Sequence, residues 1–212
     1  MKGYAQLSNE EYLFLKTKIG ELAKKAGLRK APEFYVSKHE RLASVNIFQK
    51  RISIGEQLLS LWQHGKFTDN DIEATLAHEV GHLMDFMRDS GSTSFRNLLF
   101  ESLWFSFGVV PLVLYILSPS LIWLAFSALL ALGWGVSLPW IVRLVEVRIE
   151  LEADRKAALH LVEPQQLATA LEKIGYSGMP ANKLGFTAKM DFIAGTLTHP
   201  TFKERVRFLQ NL

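Results

Sequence analysis

Two hydrophobic periods alternate along the first third of the chain. Residues 9–26 (NEEYLFLKTKIGELAKKA) place Leu13, Ile19 and Leu22 at helical spacing, and Gly27 supplies a stop. Three short runs follow, 33–37, 43–48 and 51–55, where Val, Ile and Phe alternate with polar residues as in a half-buried sheet. Residues 57–63 read as a short helix, and Gly65 marks a loop. The helical period then returns strongly. Thr68 with Asp71 approximates a capping box, Ile72, Leu76, Val80 and Leu83/Met84 make an apolar stripe, and Gly91 is expected to end the helix.

From 98 to 142 the alternation between apolar and polar positions disappears. Glu101 is the only charge in the stretch, and Pro119, between Ser118 and Ser120, divides it into two apolar runs of roughly 20 residues, the length needed to cross a bilayer. Trp104, Trp123 and Trp140 lie toward run ends, where indoles favour an interface. The pattern predicts a transmembrane helical hairpin; a pair of buried core helices is the alternative. Arg88, Arg96, Arg143 and Arg148 flank the hairpin while its turn is uncharged, which places both flanking parts on the cytoplasmic side. Gly133 and Gly135 would allow close packing of the second run.

The second run is expected to continue unbroken through 143–162 until Pro164 stops it. A helix over 165–174, a loop over 175–185, a helix over 187–194 and a terminal helix opened by Thr201 and Glu204 complete the chain. The expected organisation is 1–97 as the N-terminal half of one domain, 98–142 as the hairpin and 143–212 as the C-terminal half.

Composition narrows the chemistry. The 212 residues contain no cysteine, which excludes disulfides and thiolate ligands. The net charge of +3 comes without a basic patch interleaved with aromatics, so nucleic acid is not an expected partner. The first residues lack an apolar core of the signal-peptide kind, so no cleaved leader is expected.

His78-Glu79-Val80-Gly81-His82 is an HExxH motif on the capped helix. Positions i and i+4 share a face, so both imidazoles reach one metal, while Glu79 lies about 100° round the helix, beside a water on that metal. A zinc site open to substrate needs a third protein ligand. A third His at the HExxHxxGxxH spacing is absent, since those positions hold Asp85 and Arg88. Glu101 lies about twenty residues past His82, the separation of thermolysin-like enzymes, but sits within the first apolar run. Glu150, in Glu150-Leu151-Glu152-Ala153-Asp154, is the favoured ligand, because Asp154 on the same helix face then receives the remaining N–H of a ligating His. Glu152 and Glu101 stay as alternatives. His39, His64 and His160 have no ligand partner at useful spacing and read as surface residues.

Four segments resemble the M48 zinc metallopeptidases, a group that includes the bacterial heat-shock membrane protease, the CAAX prenyl protease and a mitochondrial quality-control protease. They are Phe67 to His82, Glu150-x-x-Ala153-Asp154, Thr198-His199-Pro200-Thr201 with Arg205-Val206, and Ala31 to Ser37 continuing to the strand at 51–54. Two departures stand out: the two further membrane helices usual before the soluble part in the bacterial heat-shock branch are not expected from these residues, and the family's Asn-Ala-Phe element is reduced to Ser44-Val45-Asn46-Ile47. The resemblance implies an α+β, mainly helical, gluzincin-like peptidase domain with a small sheet, here carrying the inserted hairpin. It implies one Zn2+ per chain on His78, His82 and Glu150, with Glu79 as general base and His199 and Arg205 as candidates for steadying the oxyanion. The expected protein is then a zinc endopeptidase integral to a bacterial cytoplasmic membrane, in contact with the lipid bilayer, that cleaves membrane or cytoplasmic proteins in quality control. A processing peptidase for one defined substrate and a non-catalytic metal-binding scaffold are the alternatives.

Overall fold

The computed structural model describes residues 7–38, 42–88, 110–117, 121–177 and 200–212. Helix α1 (Asn9–Lys25) starts at a capping box in which the Ser8 hydroxyl accepts from the Glu11 N–H and the Glu11 carboxylate accepts from the Ser8 N–H. Its inward face is Leu15, Ile19, Leu22 and Ala23, a clean i, i+4, i+7, i+8 stripe; Leu13, expected inside, is exposed.

Strands β1 (Glu33–Ser37), β2 (Ala43–Asn46) and β3 (Arg51–Gly55) form one sheet in the order β1-β3-β2, parallel on one side of β3 and antiparallel on the other. The central strand is buried from Ile52 to Gly55, whereas β2 is an edge. β2 stops at Asn46, short of the expected end at 48. There the Asn46 side-chain oxygen accepts from the Gln49 N–H, and Lys50 takes a left-handed conformation (φ 52°), so the chain turns. Helix α2 (Glu56–Gln63) follows directly and buries Leu58 and Leu59 under the sheet.

Helix α3 (Asp69–Arg88) is the centre of the fold and packs against α1, β2 and the later helices Leu121–His160 and Pro164–Ser177. Its capping box forms as expected, with the Asp71 carboxylate accepting from the Thr68 N–H and hydroxyl, both at 2.7 Å. The expected stripe is the buried one: Ile72, Leu76, Val80 and Leu83. Truncating a fully buried leucine such as Leu76 to Ala costs about 2–5 kcal/mol. Beyond α3 come α4 (Val110–Leu117), α5 (Leu121–His160), α6 (Pro164–Ser177) and α7 (Phe202–Leu209). Helix α5 is unbroken for 40 residues, as the uninterrupted pattern through 143 predicted. Helix α6 runs past Gly175, where a loop was expected, and Gly175 sits against Phe202 of α7 at a distance that favours the absent side chain. The helix expected over 187–194 lies outside the described residues.

The membrane reading is corrected by this structure. Helix α5 is long, but from Arg143 onward it carries charged residues and joins the core. Among the described residues no helix is long and apolar enough to cross a membrane. The inserted transmembrane hairpin, and with it an integral membrane location with bilayer contact, is therefore not supported. What remains of the fold expectation is a mainly helical domain with a small three-stranded sheet. α4 and α5 pack on each other, with Leu117, Ile122, Leu129 and Leu132 exposed.

Candidate metal centre

Two helices and a third, shorter one build the site. α3 contributes His78, Glu79 and His82 from its middle, with the two histidines one turn apart. α5 contributes Glu150 and Asp154, one turn apart. α7, set by its own Thr201–Glu204 capping box, contributes Arg205. α3 and α5 approach closely because position 81 is glycine: a Cβ built there would lie 2.6 Å from the backbone oxygen of Ala153. That oxygen belongs to the turn between Glu150 and Asp154, so the close approach and the carboxylates share one place on α5.

Donor atoms of His78, His82 and Glu150 all lie within 4.8 Å of one another. The His78 and His82 Nε2 atoms are 3.1 Å apart, and the Glu150 carboxylate is 3.2 Å from His78 Nε2 and 3.5 Å from His82 Nε2. On the far side of His78, Nδ1 is 2.8 Å from Asp154, whose side chain is fully buried. Arg205 donates to the two Asp154 oxygens through Nε at 2.7 Å and Nη2 at 2.6 Å, and its Nη1 lies 3.3 Å from Glu150. Nη2 also comes within 3.0 Å of His78 Nδ1. That nitrogen cannot both donate to Asp154 and accept from arginine, and the shorter carboxylate contact decides for donation. The tautomer that results leaves Nε2 of His78 free to face Glu150 and His82.

The electrostatics follow from burial. Desolvation and the Arg205 charge push the His78 pKa down, but hydrogen bonds to Asp154 and Glu150 outweigh them and raise it to about 9. His82 moves the other way, to about 3, through burial and the neighbouring His78 charge. Two imidazoles 3.1 Å apart take up one proton beyond their neutral forms, not two; it sits on His78, and a cation at Nε2 would take its place. Burial pushes Glu150 and Asp154 up, yet the surrounding His78 and Arg205 hold both below the usual carboxylate range. Two imidazole nitrogens and an ionised carboxylate fit a divalent, borderline-soft cation such as zinc, and all three residues border one cavity.

That cavity, of about 340 Å³, is lined by His78, Glu79, His82, Glu150 and Arg205 together with Ala43, Ser44 and Val45 of edge strand β2. Glu79 is buried and faces it. Glu152, the alternative ligand, turns instead to Arg155 and Lys156, at 3.7 and 3.9 Å. Glu101, His39 and His199 lie outside the described residues; His64 and His160 are exposed. Sequence reading missed Gly81 and the Asp71–Lys173 pair, which ties α6 to the start of α3 at 2.6 Å. The glycine inside HExxH was the available signal for the first; nothing in the sequence signals the second.

An HExxH helix, a carboxylate from a second helix and a buried acid behind the first histidine define a metal-dependent peptidase. The sequence model of peptidase family M48 matches residues 11–212, nearly the whole chain, and the protein belongs to that family. No curated protein matches it.

Proposed function

We propose that this protein is a zinc-dependent endopeptidase using His78, His82 and Glu150 as ligands and Glu79 as the proton carrier. The observation that carries the reading is the convergence of those three ligand side chains within 4.8 Å, beside a cavity that Glu79 also lines. One Zn2+ on these donors would polarise the scissile carbonyl and acidify a water.

Glu79 takes a proton from the attacking water on its carboxylate and returns it to the leaving amine nitrogen. Asp154 holds His78 in the tautomer that presents Nε2. Arg205 acts through Asp154 and Glu150, with Nε, Nη1 and Nη2 turned toward them, and is a positioning residue. His199 is the proposed oxyanion donor, by resemblance to the family's His-Pro element. The same resemblance supports damaged or misfolded proteins as substrates.

Purified full-length protein loaded with zinc is expected to degrade casein. Glu79→Gln should bind zinc normally and lose the activity. Zinc binding without casein cleavage in the wild type would favour a metal-binding scaffold.

A further inference from the structure

Beyond the polar groups the cavity has a second character. Part of its lining comes from α6 and α7: Leu167, Ala170, Leu171, Ile174 and Phe202, an apolar wall without a charged side chain among them. Leu167, Ala170, Leu171 and Ile174 are buried, so they belong to the core and cannot swing away, and the apolar wall is a fixed shape. It is continuous with the catalytic groups, since Thr75 and Glu79, one turn apart on α3, line the same space. At about 340 Å³ the cavity sits at the small end of ligand sites, enough for one substrate side chain with its backbone.

We infer that this wall is a specificity subsite for one bulky apolar side chain adjoining the scissile bond, and that Ala170 sets its depth. The inference rests on the peptidase reading. An apolar side chain seated there exchanges water for Leu167, Leu171 and Ile174. A charged side chain loses its hydration and meets no partner on this wall. Ala170 is the smallest of the five, so any larger residue there projects into the space the substrate would occupy. Gly175 bears on the same wall from behind. A Cβ at 175 would meet the Phe202 Cβ at 3.3 Å, so the glycine lets Phe202 lie back against α6.

The test has a cleavage arm and a binding arm. A mixture-based peptide library is cleaved by zinc-loaded full-length protein and the cut sites are read by mass spectrometry. One position adjoining the cut should favour Phe, Leu or Met over Asp or Lys by at least about 10-fold. Ala170→Leu should lower the Phe-to-Ala preference ratio by about 10-fold, and Ile174→Ala should raise tolerance of Trp. The second variant carries the test if the first does not fold. In the binding arm, fluorescence anisotropy measures labelled Phe- and Asp-containing peptides on Glu79→Gln protein. Tighter binding of the Phe peptide, abolished by adding Ala170→Leu, supports the subsite even if the wild type cleaves nothing, an outcome that would remove the peptidase reading alone. Cleavage without apolar preference, equal binding of both peptides, or an unchanged profile in both wall variants overturns the subsite and leaves the peptidase reading standing.

Discussion

Replacing Gly81 by Ala should loosen the metal centre more than it unfolds the protein. The added Cβ would sit 2.6 Å from the Ala153 backbone oxygen, where ordinary contact begins at 3.4 Å. Backbone cannot rotate out of the way as a side-chain tip does, so α3 and α5 must separate by roughly 0.8 Å. Ala in place of Gly favours the helix by about 1 kcal/mol, and overpacking of this kind costs about 1–3 kcal/mol, so the net loss of stability is modest. Metal binding has no such tolerance, because ligand distances must hold to about 0.2 Å. Glu150 and Asp154 flank Ala153 and move with it, so the ligand and the partner of His78 are displaced together. Zinc affinity should therefore fall by at least about 10–100-fold, or about 1.4–2.7 kcal/mol. The assay is competition titration against a chromophoric chelator, with melting of the zinc-free and zinc-loaded forms beside it. Gly133→Ala is the control, a glycine on α5 with nothing within 4 Å of its Cβ position. Wild-type zinc affinity in a folded Gly81→Ala protein would refute the reasoning, because the close helix approach would then have no bearing on the ligands.

Glu79→Gln should lower kcat by about 10²–10⁴-fold with zinc affinity kept, read by proteolysis and metal content together. Asp154→Asn should weaken zinc binding by about 10–100-fold and, by leaving the buried Arg205 charge with Glu150 alone, destabilise the fold by up to about 3–5 kcal/mol in denaturant titration. Chelation by EDTA should abolish activity and zinc should restore it. The Asp71 carboxyl is pushed up by burial but held below its ordinary value by Lys173 and Thr68, so its stabilisation is present above the unfolded pKa of about 4 and is lost as pH falls through the lower folded one. The melting-temperature difference between wild type and Lys173→Met, worth about 1 kcal/mol or less for this half-exposed lysine, should accordingly be constant near neutrality and shrink in acid.

Local chemistry was what the sequence carried best. The helical stripe through Ile72, Leu76 and Val80, the two capping boxes of α3 and α7 and the HExxH spacing all depend on neighbours within four residues, and each appears where expected. The pairing of β1 with β3 depends on contacts the pattern does not contain, and so does the reach of Arg205 across to Asp154. The end of β2 was misread because alternation continues through Phe48, while the Asn46 side chain had already closed a turn. The apolar runs misled for a related reason. Hydropathy reports what a segment excludes, water, but not where its helix starts and stops. Among the described residues no helix is long and apolar enough to cross a membrane, although the continuation of α5 past Arg143 into charged residues was expected.

The order of the ligands along the chain explains why the site needs the whole fold. Two imidazoles one turn apart come with any HExxH helix, but a helix alone leaves two coordination positions open and His78 free to rotate. The proposed third ligand, the Glu150 carboxylate, and the partner of His78 both sit on one turn of α5, so a single helix–helix contact, Gly81 against Ala153, places ligand and orienting group at once. Asp154 is fully buried, and its charge would be untenable there without Arg205 from α7. The last described helix is thus tied to His78, the first of the proposed ligands, through two side chains, and loss of α7 should weaken metal binding as surely as loss of a histidine.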